Sequence, residues 1–454
     1  MHIHNDYIYD PTRLIFYRST LSQHEIDTII STIPSNDNYT ELKLKLDSYN
    51  AVNATYGLNA LNEGGICITY NCNLRCNYCS ESSIDGSQDT LETKDIIAFV
   101  IEIIRQRAIG KLVNKNSDPL RIFFSGGGEP TYSWKLLTDA IFAIKEVCLR
   151  NNVPLELGMA TNGMLSKSQR SFIMEHFNVV MVSYDGMPML QNKNRKTASS
   201  ESSNEIVEET IRVLLNSKIT LTVRTTIWHD DFSYLQSAAE YIFNKLGCID
   251  EWSIRPIIPK GRSLERVAHE HKNLNMFDFV KYYIDLLEYA DKNCPGLKIT
   301  NPFLPNSLNT YSCRAISPTL SIPWLLANGD IVTCVESITH TAIIGCVKNG
   351  ILKYHDTFSD PLLSMCQKMF VICKNCIAFR FCKGGCPLRH KEEEGHPTGM
   401  GDWECKMIIN YWQYVFTKVL NGETCFGWSA RPIHTDIAKK YDVLELIKDD
   451  KWEE

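Results

Sequence analysis

The spacing of cysteine along the chain restricts the possible folds more than any other feature of the sequence. The chain has 454 residues and 17 cysteines. Cys72, Cys76 and Cys79 form a C-x3-C-x2-C segment, and a second, wider group of cysteines runs from Cys313 to Cys405. Clustered thiols in a large chain whose thiols stay reduced are metal ligands more often than disulfides. We therefore expect metal sites in two parts of the chain.

The composition is that of a globular protein and excludes several classes of partner. Hydrophobic residues make up 44% and charged residues 22% of the chain, and the formal net charge is −6. This balance offers no basic surface for nucleic acid. No apolar run approaches the roughly 20 residues that span a membrane, and the N-terminus lacks the features of a signal peptide. We expect a cytoplasmic protein that binds neither nucleic acid nor a membrane.

The first cysteine group follows an apolar run, Gly65–Tyr70, that predicts a strand. Three thiolates on one loop can supply three of the four ligands of a cubane iron–sulfur cluster. A structural zinc site needs a fourth ligand close by, and the sequence offers no obvious one. The spacing therefore favours a cluster with one open iron, with a zinc site as the alternative.

A glycine-rich segment, Arg121–Pro130, lies about fifty residues after the cysteines and reads RIFFSGGGEP. Its first half predicts a buried strand, Ile122–Phe124, and three glycines follow directly. Glycine allows the backbone to approach a ligand closely. The carboxylate of Glu129 can accept hydrogen bonds from an ammonium group.

The cysteine loop and the glycine-rich segment together resemble the radical S-adenosylmethionine (SAM) superfamily. The resemblance implies a [4Fe–4S] cluster whose open iron is chelated by SAM. It also implies which residues bind the cluster and SAM. The cluster ligands are Cys72, Cys76 and Cys79; the methionine ammonium site is Gly127, Gly128 and Glu129; and Tyr78 lies beside the adenine.

Between the two cysteine groups, predicted strands and helices alternate, which is typical of an α/β fold with a parallel sheet. Polar residues in such folds gather at the carboxyl ends of the strands. The predicted strands are Leu155–Thr161, Val179–Tyr184, Leu221–Trp228 and Glu251–Ile258; the predicted helices are Ser133–Arg150, one ending near Leu215 behind a capping box of Ser202 and Glu205, and Tyr234–Lys245. The resemblance implies a partial (β/α)6 TIM-like barrel.

The strand ends supply further candidates for SAM binding. Asn162, Ser183, Asp185 and Arg224 are the polar residues at these ends. The segment around Ser183 reads VSYDG and resembles a motif of the peptide-modifying branch, which implies a position near the SAM ribose. Arg195 and Arg224 are candidate partners of the methionine carboxylate, and ordinary solvated or core-capping arginines are the alternative.

The second cysteine group resembles the SPASM domain, an extension of radical SAM enzymes that act on peptides and proteins. The resemblance implies two auxiliary [4Fe–4S] clusters, hence three in all. Cys313, Cys334 and Cys386 would bind the first, and Cys373, Cys376, Cys382 and Cys405 the second. The first cluster then lacks one ligand. Cys346, Cys366 or a substrate thiolate could complete it, or its iron could stay open.

The resemblance implies a maturase of ribosomally made peptides. Sulfatase maturases carry an aspartate directly after the second SPASM cysteine, where this chain has Val335 followed by Glu336. We therefore expect SAM cleavage to a 5′-deoxyadenosyl radical, hydrogen abstraction from a precursor peptide and formation of a cysteine thioether. The alternatives are formylglycine formation, a carbon–carbon crosslink, epimerisation or a zinc-stabilised binding protein. The expected partners are a cysteine-containing precursor peptide and a flavodoxin or ferredoxin as electron donor.

Four regions follow from these assignments. Residues 1–63 are a small α+β segment, with a predicted hairpin around Asp10–Pro11, and are a candidate peptide-recognition element or a cap on the barrel. Residues 64–304 are the partial barrel, 305–425 the SPASM domain and 426–454 a helical tail.

Overall fold

The fold is described from a computed structural model. It describes residues 2–4, 7–10, 15–18, 62–81, 89–111, 118–247, 249–257, 261–263, 277–301, 323–332, 343–354 and 408–411. All seven cysteines of the predicted SPASM pattern, together with Cys366, Val335 and the 426–454 tail, lie outside these residues.

The described residues form fourteen strands and seven named α-helices. The strands are β1 His2–His4, β2 Tyr7–Asp10, β3 Ile15–Arg18, β4 Glu63–Ile66, β5 Leu120–Phe124, β6 Leu155–Thr161, β7 Val179–Ser183, β8 Thr220–Ile227, β9 Glu251–Pro256, β10 Ile299–Thr300, β11 Trp324–Leu325, β12 Asp330–Val332, β13 Ile343–Lys348 and β14 Ile351–Tyr354. The helices are α1 Thr93–Lys111, α2 Trp134–Arg150, α3 Lys167–His176, α4 Pro188–Asn194, α5 Asn204–Leu215, α6 Leu235–Tyr241 and α7 Phe277–Asn293.

Strands β4 to β10 lie side by side in chain order, and each pairs with the next in parallel. Parallel neighbours need a crossover, and helices supply the crossovers here. The predicted α/β fold with a parallel sheet is therefore confirmed. Strand β4 is shorter than the predicted strand Gly65–Tyr70, because it ends at Ile66. The backbone beyond Ile66 bonds to the glycine-rich loop instead, with Gly128 N donating to Thr69 O at 2.8 Å.

Burial alternates along the strands and separates two faces of the sheet. In β7, Val180 and Val182 are fully buried, whereas Met181 and Ser183 are partly exposed. The buried positions belong to one core cluster that also contains Val207, Ile211 and Leu214 of α5. The helices thus cover one face, and the partly polar face is left for a site.

The start of α5 corrects one prediction. The capping box of Ser202 and Glu205 is wrong, because α5 begins at Asn204 with Ser203 as its N-cap residue and no side-chain capping bond. The Ser203 hydroxyl instead donates to Arg195 O at 2.7 Å and accepts from Gln191 at 3.0 Å. Tertiary contacts therefore determine where this helix begins.

The sheet continues beyond the barrel through a segment that the sequence does not predict. Strand β11 pairs in parallel with β4, with Trp324 opposite Gly65, and β12, β13 and β14 follow as antiparallel neighbours. The last two strands also contact α1: Gly350 N donates to Asp95 at 2.7 Å, and Gln106 donates to the Tyr354 hydroxyl at 2.8 Å. This segment is therefore anchored to the strand that precedes the cysteine loop.

The N-terminal residues form a separate three-stranded antiparallel sheet in the order β1-β2-β3. The hairpin predicted around Asp10–Pro11 is present, because β2 and β3 pair from Tyr7↔Arg18 to Asp10↔Ile15. None of the helices in the described part of the chain is long and apolar enough to cross a membrane.

The contact between Gly65 and Trp324 allows a test of how β11 packs against β4. A Cβ at this position would overlap with the indole ring of Trp324. We expect Gly65→Ala to lower the free energy of unfolding by about 1–3 kcal/mol, the usual cost of overpacking. Because Trp324→Ala removes the ring, the double variant should be less destabilised than the sum of the single variants. Denaturant unfolding of the four proteins measures this, and strict additivity would contradict the packing described.

Candidate functional site

The cysteine loop lies against the segment that follows α4. Arg75 N donates to Lys196 O at 2.8 Å, Asn77 N to Asn194 O at 3.0 Å, and Ala198 N to Asn73 O at 3.1 Å. Asn77 also accepts from the indole of Trp228 at 3.1 Å. These hydrogen bonds to other parts of the chain hold in place a loop that is neither helix nor strand.

The three predicted ligands are free thiols, and each is partly buried. Burial raises the pKa of the Cys72 thiol to about 12 and that of the Cys76 thiol to about 11, and the charge of Arg195 acts against the rise at Cys76. Two N–H groups point at the Cys72 sulfur, Leu74 N at 3.4 Å and Asn162 Nδ2 at 3.8 Å. Such donors stabilise a thiolate ligand.

The arrangement of the thiols bears on the kind of metal group they suit. Within the described ranges, no three His, Cys, Asp or Glu side chains surround a point that one metal ion could occupy. A zinc ion needs its ligands around one point, whereas the thiolates of an iron–sulfur cluster bind separate irons. Three thiols on one loop are the donor set of a cluster that leaves one iron open.

The glycine-rich loop packs directly onto the backbone before Cys72. Gly127 has φ +66°, and a Cβ there would overlap with the Cys67 sulfur. A Cβ on Gly128 would overlap with Asn71 O. Glu129 N donates to this same carbonyl at 2.8 Å. The glycines are therefore required by close contact between two backbone segments.

Glu129 joins this loop to the end of β6. Its carboxylate accepts four hydrogen bonds, from Thr131 N at 3.2 Å, Thr131 Oγ1 at 2.7 Å, Thr161 Oγ1 at 2.8 Å and Asn162 N at 2.6 Å. Burial raises the pKa of Glu129, and these hydrogen bonds act against the rise. Asn162 continues the network, because its Nδ2 donates to Asn73 at 2.7 Å. Cysteine loop, glycine-rich loop and β6 thus form one connected unit.

Tyr78 belongs to a second buried group. Its hydroxyl donates to Asp185 at 2.5 Å, and the Arg195 guanidinium lies 5.2 Å from the centre of its ring. Arg195 Nε donates to the other oxygen of Asp185 at 2.9 Å, and Trp228 packs beside the tyrosine ring. Burial raises the pKa of Tyr78 well above its usual value. The tyrosine therefore stays neutral, and the charge of Arg195 is balanced by Asp185.

Ser183 and Arg224 form a third group. They face each other across β7 and β8, and Arg224 Nη1 lies 3.5 Å from the Met181 sulfur. The structure thus brings the predicted residues together in three groups at the carboxyl ends of neighbouring strands. Sequence reasoning missed Thr131 and Thr161 as partners of Glu129, and their only sequence signal is their position at a strand or loop end.

The Glu129 network generates a second test. In Glu129→Gln, the amide NH2 must point at one of the donors that the carboxylate now accepts from, leaving a buried donor without an acceptor. We expect the free energy of unfolding to fall by about 1–3 kcal/mol. Glu146→Gln is the matched control: Glu146 is exposed and pairs only with Arg150 on the surface of α2 in the bonds described, so its effect should stay within about 0.5 kcal/mol. Equal stabilities of the two variants in urea would contradict the network.

Comparison with known proteins agrees with this geometry. Residues 66–242 match the family model described as the Radical SAM superfamily. The match begins in the strand before the cysteine loop and includes all three groups of site residues.

Curated relatives cover most of the chain at low identity. The chain is 21% identical over 370 residues to a cysteine-type anaerobic sulfatase-maturating enzyme of Clostridium perfringens, a match that covers 77% of this chain and 95% of the relative. A protein of the same description from Clostridium novyi is 22% identical over 360 residues, with 73% and 88% covered.

Solved structures share the fold. The structure of native anSMEcpe with bound AdoMet is similar with a TM-score of 0.58 at 17% identity, covering 79% of this chain and 98% of the other. Streptococcus suis SuiB bound to precursor peptide SuiA is similar with a TM-score of 0.55 at 15% identity, covering 85% and 87%. Residues 66–242, which contain the cysteine loop and the glycine-rich loop, are therefore a radical SAM domain.

Proposed function

We propose that this protein is a peptide maturase that binds a [4Fe–4S] cluster on Cys72, Cys76 and Cys79 and modifies a ribosomally made precursor peptide. One observation carries the proposal: three thiols lie on a loop that is bonded to the glycine-rich loop at the carboxyl edge of a parallel sheet. The superfamily implies a [4Fe–4S] cluster and SAM as cofactors. When bound, they supply a 5′-deoxyadenosyl radical through one-electron reductive cleavage of SAM.

The chain's own residues would bind and orient SAM. We infer that the ammonium group lies at Gly127, Gly128 and Glu129. Of the two Glu129 oxygens, Oε1 accepts three of the hydrogen bonds described and Oε2 one, and a carboxylate has about four acceptor sites. Oε2 therefore retains acceptor capacity for an ammonium group, while the other bonds hold the loop in place.

Two arginines were candidates for the methionine carboxylate, and their surroundings favour one of them. Arg195 is buried and paired with Asp185, so its charge is largely compensated. Arg224 lies opposite Ser183 on the neighbouring strand, at the edge where Asn162 also lies. We infer that Ser183 and Arg224 contact the ribose and carboxylate end of SAM. Arg195 lies over the ring of Tyr78, which we infer to be beside the adenine.

The finer reaction is a thioether crosslink. The deoxyadenosyl radical would remove one hydrogen atom from a substrate carbon, giving 5′-deoxyadenosine and a carbon radical. A substrate cysteine would then lose its thiol proton to solvent and form the C–S bond, and the surplus electron would pass to an auxiliary cluster, so the peptide loses two hydrogen atoms in total. The supports are the SPASM-like cysteine spacing and Val335 at the position of the maturase aspartate.

The auxiliary clusters belong to this proposal and bring the count to three [4Fe–4S] clusters. The first lacks a fourth ligand, for which Cys346, Cys366 or the substrate thiolate are candidates. Cys346 lies on β13 opposite Asp330, in the segment whose first strand pairs with β4. A flavodoxin or ferredoxin is the proposed electron donor.

Residues 1–63 are the proposed binding region for the precursor peptide. Their three-stranded sheet has β1 and β3 at its edges among the described strands. An extended peptide can add to such an edge through main-chain hydrogen bonds. The similarity in fold to SuiB bound to precursor peptide SuiA supports this part of the proposal.

Formylglycine formation is the second candidate. It is favoured by the curated relatives, which are described as cysteine-type anaerobic sulfatase-maturating enzymes. Both candidates share the first step and differ in the fate of the substrate sulfur: a thioether retains it, whereas conversion of cysteine to formylglycine removes it.

Replacement of Cys72, Cys76 and Cys79 by alanine tests the first step. We expect complete loss of 5′-deoxyadenosine formation from SAM under reducing, anaerobic conditions, because no ligands remain for the SAM-binding cluster. Chromatography of the small-molecule products measures it, with Cys148→Ala as a control for loss of a buried cysteine elsewhere. SAM cleavage retained by the triple variant, or zinc without sulfide in the wild-type protein, would contradict the proposal.

Mass spectrometry of a modified precursor peptide tests the second step. We expect a loss of two hydrogen atoms per crosslink and one fewer cysteine that reacts with a thiol-alkylating reagent. Unmodified peptide with the same number of cysteines is the control. If every cysteine still alkylates after the mass loss, the link is carbon–carbon or carbon–oxygen; if sulfur is lost, the product is formylglycine.

A further inference from the structure

Asp89 holds the three residues that come directly before the first thiol of the cysteine loop. Its carboxylate accepts hydrogen bonds from the Thr69 hydroxyl, from Tyr70 N at 3.1 Å and from Asn71 Nδ2 at 3.0 Å. Thr69 and Asn71 are buried. A buried hydroxyl and a buried amide are costly to leave without partners, and both use the same carboxylate. None of the motifs that indicated the site includes Asp89.

The same three residues carry the glycine-rich loop. Gly128 N donates to Thr69 O at 2.8 Å, and Glu129 N donates to Asn71 O at 2.8 Å. A Cβ on either Gly127 or Gly128 would overlap with backbone atoms of this segment. Residues 69–71 therefore lie between Asp89 and the loop that is the candidate ammonium site.

One peptide group connects the two contacts. The peptide between Thr69 and Tyr70 donates through its N–H to the Asp89 carboxylate and accepts through its C=O from Gly128 N. Because the N–H and C=O of a trans peptide point in opposite directions, Asp89 and Gly128 lie at the two ends of one chain of hydrogen bonds. Bonds in such a chain polarise one another, so the negative charge of Asp89 makes this carbonyl a stronger acceptor for Gly128 N.

The neighbours of Asp89 are bonded to the sheet. Thr90 N and Leu91 N both donate to Ala327 O, at 3.0 Å and 3.1 Å. Ala327 lies in the turn between β11 and β12, and β11 pairs in parallel with β4. The carboxylate is therefore positioned by the same sheet that carries the cysteine loop.

We propose that Asp89 is a positioning residue for SAM, which holds residues 69–71 so that the glycine-rich loop lies at the correct distance from the cluster. This inference rests on the proposed function, because it requires SAM bound at Gly127, Gly128 and Glu129. Asp89 acts through the backbone of residues 69–71. Loss of its carboxylate would displace the ammonium site relative to the cluster and would leave all three thiols available as ligands.

The dissociation constant (Kd) of SAM for the anaerobically reconstituted full-length protein, measured by equilibrium dialysis, tests this role. Asp89→Asn keeps the shape of the side chain, removes its charge and replaces one acceptor oxygen by a donor. We expect the Kd to rise about tenfold, the equivalent of one lost hydrogen bond to a charged group, with iron and sulfide contents at the wild-type level.

Two variants of Thr69 test the same contact from its other side. Thr69→Val removes the hydroxyl that donates to Asp89, so we expect it to weaken SAM binding as well. Thr69→Ser retains the hydroxyl and should bind SAM as tightly as the wild type does.

Asp95→Asn is the matched control. Asp95 is a buried carboxylate at the start of α1 that accepts from two backbone groups, Glu92 N at 3.1 Å and Gly350 N at 2.7 Å. Its replacement should lower the stability in urea and leave the Kd for SAM unchanged, which separates positioning from general stability.

A wild-type Kd in a folded, cluster-loaded Asp89→Asn protein would overturn the inference, and so would an equal rise in Asp95→Asn. If Asp89→Asn does not fold, the Thr69 variants decide, and equal Kd values for Thr69→Val and Thr69→Ser would overturn it. These results would leave the proposed function intact. A wild-type protein that holds no iron and sulfide, or that binds no SAM, would instead contradict the proposed function.

Discussion

Direct backbone contact between the glycine-rich loop and the residues before Cys72 is the constraint on which the site depends. Gly127 and Gly128 leave no room for a Cβ against residues 67–71, and the glycine-rich loop donates main-chain hydrogen bonds to Thr69 O and Asn71 O. Because Cys72 follows directly, this contact sets where the cysteine loop lies relative to the strand ends. Glu129 then ties the same loop to the end of β6. A side chain at either glycine would separate parts that the proposed chemistry needs together.

Two buried carboxylates with several hydrogen-bond donors each define much of the remainder of the site. Glu129 accepts four hydrogen bonds, and Asp185 accepts from both Tyr78 and Arg195. Burying such charges is unfavourable unless partners replace the lost water, and apolar packing is often as stable. Their role here is to position other residues. Asp185, just after β7, accepts hydrogen bonds from Tyr78 of the cysteine loop and from Arg195 after α4, and so holds the two together. The same segment after α4 bonds to the loop backbone.

The degree to which the site could be predicted follows from the range of each interaction. Cys72, Cys76 and Cys79 are close in sequence, and the glycines follow a strand, so local spacing alone indicated their roles. The hydrogen bond between Tyr78 and Asp185 joins residues 107 positions apart, and no local sequence pattern predicts it. Pairing of the two-residue strand β11 with β4 was missed for the same reason. The capping box failed because Ser203 bonds to Gln191 and Arg195, contacts that exist only after folding.

By itself, the sequence determined the parallel α/β architecture, the cysteine loop and the glycine-rich loop, because apolar periodicity, glycine and thiol spacing act over a few residues. Tertiary structure decided which strand ends meet, that Arg195 is neutralised by Asp185 while Arg224 faces Ser183, and that Asp89 bonds to the three residues before Cys72. These outcomes depend on the order of the strands in the sheet and on backbone contacts between distant segments. Hydrogen bonds and charge pairs of this kind form only where the folded chain brings their partners within about 3 Å.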